Sequence, residues 1–211
     1  GSSNVGNIDF EKMLEAHIAS GAKLTGIYTK DPASRKKGCM LTTFRIGEDG
    51  FISDCKVTDD IQDGYFVSAN IYIMNREELI AIAEQTMREG LMNFRRDLLQ
   101  VIVRNGEAYG YEAPEKLLFM FDTQSYLQNS LELLKREIRA DLFKDEKRPI
   151  ITSVKDSPPA RYGKKADVSN SFVADGTIID GTVRNSIIFR GAKIMKGAVV
   201  ENSVVMQDCV I

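Results

Sequence analysis

One histidine (His17), no tryptophan and three cysteines in 211 residues exclude several chemistries at the outset. A lone histidine argues against a Ser-His-Asp triad and against a multi-histidine metal centre. Cys39, Cys55 and Cys209 are odd in number, far apart and free of any CxxC spacing. They read as buried thiols in a reducing compartment, not as a disulfide framework or a zinc site. No apolar run approaches the roughly 18 residues of a membrane span, and no signal-peptide pattern leads the chain, so a cytoplasmic protein is expected. Neither sign of charge dominates: 28 Lys and Arg face 30 Asp and Glu, a net charge of −2. No strong field is therefore available to recruit nucleic acid or anionic lipid. What is present is ordinary for a globular chain, with 43% hydrophobic and 27% charged residues, which excludes disorder and collagen-like repetition.

The first 145 or so residues alternate helical and strand patterns. Asp9 to Ile18 places apolar groups at helical spacing, with Asp9 as N-cap and Gly21 just past the end. Leu24 to Thr29 reads as a strand. Cys39–Ile46 and Phe51–Val57 flank Gly47-Glu48-Asp49-Gly50, a hairpin signal. Tyr65–Met74 is rich in aromatic and β-branched residues and reads as a further strand. Asn75-Arg76-Glu77-Glu78 opens a helix that Gly90 closes. A shorter helix is expected from Phe94 to Val103, ending at Asn105-Gly106 before a strand near Tyr109. The longest helical pattern runs from Thr123 to Leu142. Residues 146–165 hold Pro149, Pro158 and Pro159 among polar and basic residues and read as an extended linker.

Beyond Ala166 leucine disappears and valine and isoleucine crowd in, which favours strands. Val168-Ser169-Asn170-Ser171 returns as Val183-Arg184-Asn185-Ser186 and Val200-Glu201-Asn202-Ser203, at offsets of 15 and 17 residues. Asp175-Gly176, Asp180-Gly181, Arg190-Gly191 and Lys196-Gly197 punctuate the intervals. Short aliphatic steps between glycine turns are the pattern of a parallel β-helix built from hexapeptide-like units. A β-sandwich would need longer alternating strands. Each coil needs a neighbour, and Ile211 falls inside a repeat without a polar terminator, so the array over 166–211 is expected to be cut rather than naturally short.

Among individual residues, His17 reads as packed along its helix. Cys39 and Cys55 lie on strands expected to pair, as free thiols. Asp54, Asp59 and Asp60 read as solvated acids, and Arg35-Lys36-Lys37 as an exposed loop. Contact with a phosphorylated ligand is the secondary reading for that loop and for Lys164-Lys165.

Together these features resemble the glucose-1-phosphate adenylyltransferase (ADP-glucose pyrophosphorylase) family. The most specific match is Arg148-Pro149-Ile150-Ile151-Thr152 with Asp156-Ser157-Pro158-Pro159-Ala160-Arg161-Tyr162, running into the first Asn-Ser repeats. The resemblance covers most of the chain from about Asn7. It implies an α/β fold: the second half of a nucleotidyltransferase (Rossmann-like) domain over residues 1–145, then a truncated left-handed parallel β-helix. The family's Gly-Gly-x-Gly-Thr-Arg-Leu nucleotide loop is absent, and Gly1-Ser2-Ser3 reads as a cloning remnant.

Catalytic members carry landmarks from which this sequence departs. Their Glu-Lys-Pro is Val57-Thr58-Asp59 here, and Lys56 next to it would face the other side of a strand. Their Ser-Met-Gly is Ser68-Ala69-Asn70, leaving Ser68 as the one substrate-binding residue the resemblance retains. Their Asp-Phe-Gly, whose carboxylate helps hold Mg²⁺, is Asn93-Phe94-Arg95, and a neutral amide beside an arginine suits a hard cation poorly. Their Trp-x-Asp-x-Gly-Thr before Ser-Tyr is Leu117–Asp122 before Ser125-Tyr126. The resemblance thus implies a regulatory, non-catalytic D-type subunit without catalytic or metal-binding residues of its own. Its partner would be a homologous catalytic subunit, in a hetero-oligomer expected to be a tetramer. That partner would make ADP-glucose from ATP and glucose 1-phosphate with Mg²⁺, under control of a phosphorylated effector. Neither nucleic acid nor membrane is an expected partner. Two other readings are a nucleotidyltransferase active despite divergent motifs and a hexapeptide-repeat acyltransferase. The latter usually needs a histidine within the repeats, and none follows His17.

Overall fold

The computed structural model describes residues 4–88, 90, 93–153 and 155–211. Gly1-Ser2-Ser3, read above as a remnant, lies outside the described residues. The chain forms two compact units, residues 1–119 and 120–211. The first opens with β1 (Asn4–Val5), α1 (Phe10–Ser20) and β2 (Leu24–Thr29). Asp9 caps α1 by accepting the Lys12 N–H at 3.2 Å, and the chain leaves the helix at Gly21. A single 3₁₀ turn, Pro32–Ser34, precedes β3 (Leu41–Ile46), β4 (Ile52–Thr58) and β5 (Phe66–Met74). After α2 (Arg76–Arg88) comes a wide π turn, Phe94–Leu98, that continues into α3 (Leu99–Arg104). β6 (Ala108–Glu112) and β7 (Leu118–Phe119) complete the unit.

Five strands form one mixed sheet in the order β4-β3-β5-β2-β6. Only β2 and β6 run parallel; the other neighbours are antiparallel. All six residues of β2 are buried, which marks a central strand covered on both faces. Alternation along it tells which helix covers which face. Leu24 and Tyr28 join the core of Phe44, Cys55, Leu99 and Ile102 on the α3 side. Thr25 points the other way, and its hydroxyl meets the His17 ring of α1 at 2.8 Å. Separately from this sheet, β1 and β7 pair antiparallel with each other.

The second unit starts with helices. The periodicity from Thr123 to Leu142 suggests one helix; the structure has two, α4 (Thr123–Glu132) and α5 (Arg136–Phe143). Leu134 and Lys135 close tight three-residue turns, and Lys135 is extended at φ −77°, ψ 130°. No glycine or proline announces the break. Arg139 stabilises it instead, donating from Nη1 to the freed carbonyls of Leu133 (2.9 Å) and Leu134 (2.6 Å).

The remainder is a parallel β-helix of three faces. β8 (Arg161–Tyr162), β9 (Asp167–Ser169) and β10 (Phe172–Val173) make the first coil. β11 (Ile178–Ile179), β12 (Thr182–Arg184) and β13 (Ile187–Ile188) make the second, and β14 (Lys193–Ile194), β15 (Val199–Glu201) and β16 (Val204–Val205) the third. Each face is a three-stranded parallel sheet: β14-β11-β8, β15-β12-β9 and β10-β13-β16. A fourth coil begins where Val210 bridges to Lys193. The repeat read from sequence is the register: Val168, Val183 and Val200 stack in one row. Ile179, Val183, Ile188, Ile194, Val200 and Val205 fill the interior.

Asn170, Asn185 and Asn202 turn one corner with φ of 42°, 46° and 48°. Asparagine is among the few non-glycine residues that tolerate this left-handed backbone. Their amides form a ladder, Asn170 Nδ2 donating to Asn185 Oδ1 (2.9 Å) and Asn185 Nδ2 to Asn202 Oδ1 (2.6 Å). The following serines add a second ladder, Ser171 Oγ accepting from the Ser186 N–H and Ser186 Oγ from the Ser203 N–H. Pairing already starts at Arg161–Tyr162, five residues before the shift in composition: this strand carries an exposed Arg and an exposed Tyr where the next coil has Ile178 and Ile179, so the aliphatic pattern does not mark it.

Candidate functional site

The positions that resemble the catalytic landmarks all lie in the first unit or at the start of the second, and the structure gives each a local, structural occupation. Thr58 ends β4, and its hydroxyl donates to Asp60 O (3.1 Å) while accepting from the Asp60 N–H (3.0 Å). Lys56 is opposite in parity to Cys55, which points into the core. The Lys56 ammonium lies 4.6 Å from the Tyr65 ring centroid and donates to Gln62 Oε1 at 2.9 Å. Tyr65 in turn donates to Asp54 Oδ2. Lys56, Asp54 and Tyr65 thus neutralise and screen one another on that face.

Ser68 is 1% exposed on β5. Its hydroxyl donates to Ile27 O (3.2 Å) and accepts from the Asn70 N–H (3.1 Å), so both of its roles go to backbone. Asn70 adopts φ 55°, and the strand pairing of β2 with β5 shifts register opposite it, between Gly26 and Tyr28. Ser68 pins this irregularity.

Tyr72, which sequence reasoning did not single out, connects two of the landmark segments. Its ring packs on Phe94 at 5.1 Å, and its hydroxyl donates to Asn70 Oδ1 at 3.3 Å. Burial pushes its pKa up to about 12, with Ser68 and Arg95 acting in the opposite direction. An aromatic side chain therefore stands between Ser68-Ala69-Asn70 and Asn93-Phe94-Arg95. The only advance signal was its place in the alternation of an aromatic-rich strand.

Asn93 stands where the resemblance puts a magnesium-binding carboxylate, and its side chain caps the π turn. Oδ1 accepts from the Arg95 and Arg96 N–H groups, both at 3.1 Å. Its own N–H is taken by Asp97 Oδ2 at 2.9 Å. A neutral oxygen already shared by two amides, flanked by Arg95 and Arg96, does not fit a divalent cation. Among the described residues no group of three or more His, Cys, Asp or Glu converges as a metal site. In the last landmark, Leu117, Leu118 and Phe119 are buried, and Asp122 with Ser125 forms a capping box at the start of α4.

The remaining residues fall as follows. β3 and β4 pair as expected and both thiols are free, with Cys39 just before β3 and Cys55 opposite Phe44. Of the three thiols expected to be buried, Cys55 is buried, Cys39 half-buried and Cys209 exposed. Burial, with Asp54 alongside, drives the Cys55 thiol up to about 12, leaving it protonated and inert. Tyr28 is likewise raised to about 12 by burial and by Glu112. Arg35 donates from Nη2 to Tyr65 O at 2.6 Å, which ties the basic loop down at one end. No helix among the described residues is long and apolar enough to cross a membrane.

Residues 158–211 match the family model described as GlmU-like, C-terminal hexapeptide. Among similar proteins, the glycogen biosynthesis protein GlgD of Geobacillus stearothermophilus is 50% identical over 34% of this chain and 21% of its own length. GlgD of Bacillus subtilis is 32% identical over 68% of the chain and 40% of its own length. The glucose-1-phosphate adenylyltransferase of Acetivibrio thermocellus is 26% identical over 99% of the chain and 49% of its own length. The chain thus spans about half, or less, of these relatives. With an α/β unit, a stack of hexapeptide coils and identity running through both, this chain is a homologue of the GlgD glycogen biosynthesis proteins and the glucose-1-phosphate adenylyltransferases.

Proposed function

We propose that the chain is part of a regulatory, non-catalytic subunit that works in glycogen biosynthesis beside a homologous catalytic adenylyltransferase. The reading rests above all on Asn93. The oxygen at the place of the magnesium-binding carboxylate is a neutral amide committed to two backbone N–H groups of a basic turn. Thr58, Ser68 and Tyr72 support it, because their polar groups are consumed by their own unit and not held toward a sugar phosphate. In this reading the catalytic partner binds ATP, glucose 1-phosphate and Mg²⁺. This chain contributes assembly surface and effector response, in the cytoplasm, within a hetero-tetramer.

The test is ADP-glucose formation from ATP and glucose 1-phosphate. The full-length protein alone is expected to give none above background, and its co-purification with a catalytic homologue from the same cell is expected to change that enzyme's kcat or effector response severalfold. Turnover by the purified protein alone, abolished on alanine substitution at Ser68, would overturn the proposal in favour of an active nucleotidyltransferase.

A further inference from the structure

α2 carries two apolar sides. Ile82 packs on the core of the sheet, whereas Leu79, Ala83 and Met87, each four residues from the next, share a second side. That second side is left open: Leu79 is 42% and Met87 76% exposed. Facing it is the π turn Phe94–Leu98, whose shape is fixed from within. Asn93 caps it through two N–H groups, Asp97 Oδ2 accepts the Asn93 N–H at 2.9 Å, and the Asp97 N–H donates to Asn93 O at 2.8 Å. Phe94 is held by Tyr72, and Leu98 belongs to the core. Wide helical turns of this kind recur at functional sites. Between helix and turn lies a cavity of about 420 Å³, walled by Leu79, Ala83 and Met87 on one side and by Phe94, Asp97 and Leu98 on the other. A space of that size takes a small molecule.

The chemistry of the walls selects the molecule. Thr86, also at the cavity, donates its hydroxyl back to Ile82 O (2.9 Å) and Ala83 O (3.0 Å) of its own helix. Asn93 Oδ1 is committed to the Arg95 and Arg96 N–H groups. Asp97 is thus the one charged group in the wall among the described residues. Its Oδ2 meets the Asn93 N–H, and its Oδ1 has no partner among the described residues. A carboxylate bordering an apolar space attracts a cation and repels an anion more strongly than it would in open water. Phe94 and the polarizable Met87 suit a flat aromatic body.

We propose that the cleft between α2 and the π turn binds a small aromatic amine, its ring system between the Leu79-Ala83-Met87 side and Phe94 and its ammonium group at Asp97. Such binding is independent of a regulatory role, which turnover beside a catalytic homologue tests separately.

The experiment is titration of the purified chain with tryptamine, 3-ethylindole and indole-3-propionate, which share one ring system and differ in carrying an ammonium, no charge or a carboxylate. Tryptamine is expected to bind most tightly, 3-ethylindole about fivefold more weakly and indole-3-propionate not measurably. A83F places a ring inside the cavity and is expected to weaken tryptamine about tenfold or more. Ala83 is half-buried on a helix surface, and an unchanged circular dichroism spectrum verifies the fold. D97N keeps an oxygen for the Asn93 N–H but removes the charge. It is expected to weaken tryptamine about fivefold and leave 3-ethylindole unchanged, a split that a merely structural role of Asp97 would not produce. No binding of tryptamine, an equal or higher affinity for indole-3-propionate, an unaltered affinity in A83F, or a D97N variant that weakens tryptamine and 3-ethylindole alike overturns the proposal.

Discussion

Gly181, in the two-residue corner Asp180-Gly181 between β11 and β12, is the residue whose replacement tests the packing of the coils most directly. A Cβ at this position would lie 2.5 Å from Ala198 O, 2.8 Å from Met195 O and 3.2 Å from Ile194 Cγ2. Two of these atoms are backbone carbonyls, which cannot swing aside as a side-chain tip can. Both are also in use. Ala198 O accepts the Thr182 N–H at 2.9 Å, joining two coils, and Met195 O accepts the Ala198 N–H at 3.1 Å, closing the turn. Moving them outward weakens two hydrogen bonds worth about 1 kcal/mol each. Strain of about 1–3 kcal/mol from overpacking comes on top. Gly181→Ala should therefore destabilise the β-helix by roughly 2–4 kcal/mol. Gly197→Ala is the control: its φ is +88° but nothing lies within 4 Å of the added carbon, so only backbone strain of about 1–2 kcal/mol applies. Hydrogen exchange read by mass spectrometry separates this unit from the other, with the protection of peptides covering 178–205 as the readout. The reasoning is refuted if Gly181→Ala exchanges within about 0.5 kcal/mol of the parent, or if Gly197→Ala is the more damaging of the two.

Two further outcomes follow from charge and burial. Asp31 is pushed up by its partial burial, but Lys116 and the Ala33 N–H outweigh that and hold its carboxyl below the ordinary value of 3.8. A depressed folded pKa means a contribution fully present at neutral pH and lost as the pH falls through that depressed value. The stability gap between the parent and Asp31→Asn, about 1 kcal/mol or less because both partners are partly exposed, should be constant from pH 7 to 5 and shrink in more acid solution; a gap that widens with acid would contradict it. Labelling with a thiol reagent at pH 8 should modify exposed Cys209 at once and Cys55 only on unfolding. Equal rates for the two would contradict the burial of Cys55.

Much of the fold was legible because it follows from short-range rules. The Val-x-Asn-Ser repeats gave the coil register residue for residue, since stacking demands that identical shapes recur at the coil period. Asp9, Gly21 and the Gly47–Gly50 hairpin marked their boundaries by cap and turn chemistry. The misses lie where a distant or atypical partner decides. The break between α4 and α5 depends on Arg139 reaching back to two carbonyls, which leaves the helical periodicity of the sequence intact. The pairing of β1 with β7 joins segments more than a hundred residues apart, each too short to show a pattern. At the landmark positions, residue identity told which charges were missing. It did not tell what fills the space, and Tyr72 between two of those segments became visible only in three dimensions.

The corner between the first and second faces of the β-helix is uneven: four residues (163–166) between β8 and β9, two (180–181) between β11 and β12 and four (195–198) between β14 and β15. This bears on how the array tolerates change in its length. Two extra residues enter between β8 and β9 and again between β14 and β15, yet Asp167, Thr182 and Val199 remain exact neighbours on the next face. Chain added at this corner is absorbed outside the stack, whereas the Asn corner, locked by a left-handed backbone and two side-chain ladders, has no such slack. Insertions and deletions should therefore accumulate at the first corner alone, and a peptide grafted between Gly163 and Ala166 should be carried without a slip of register. One edge of the prism is free to vary while the rest keeps count.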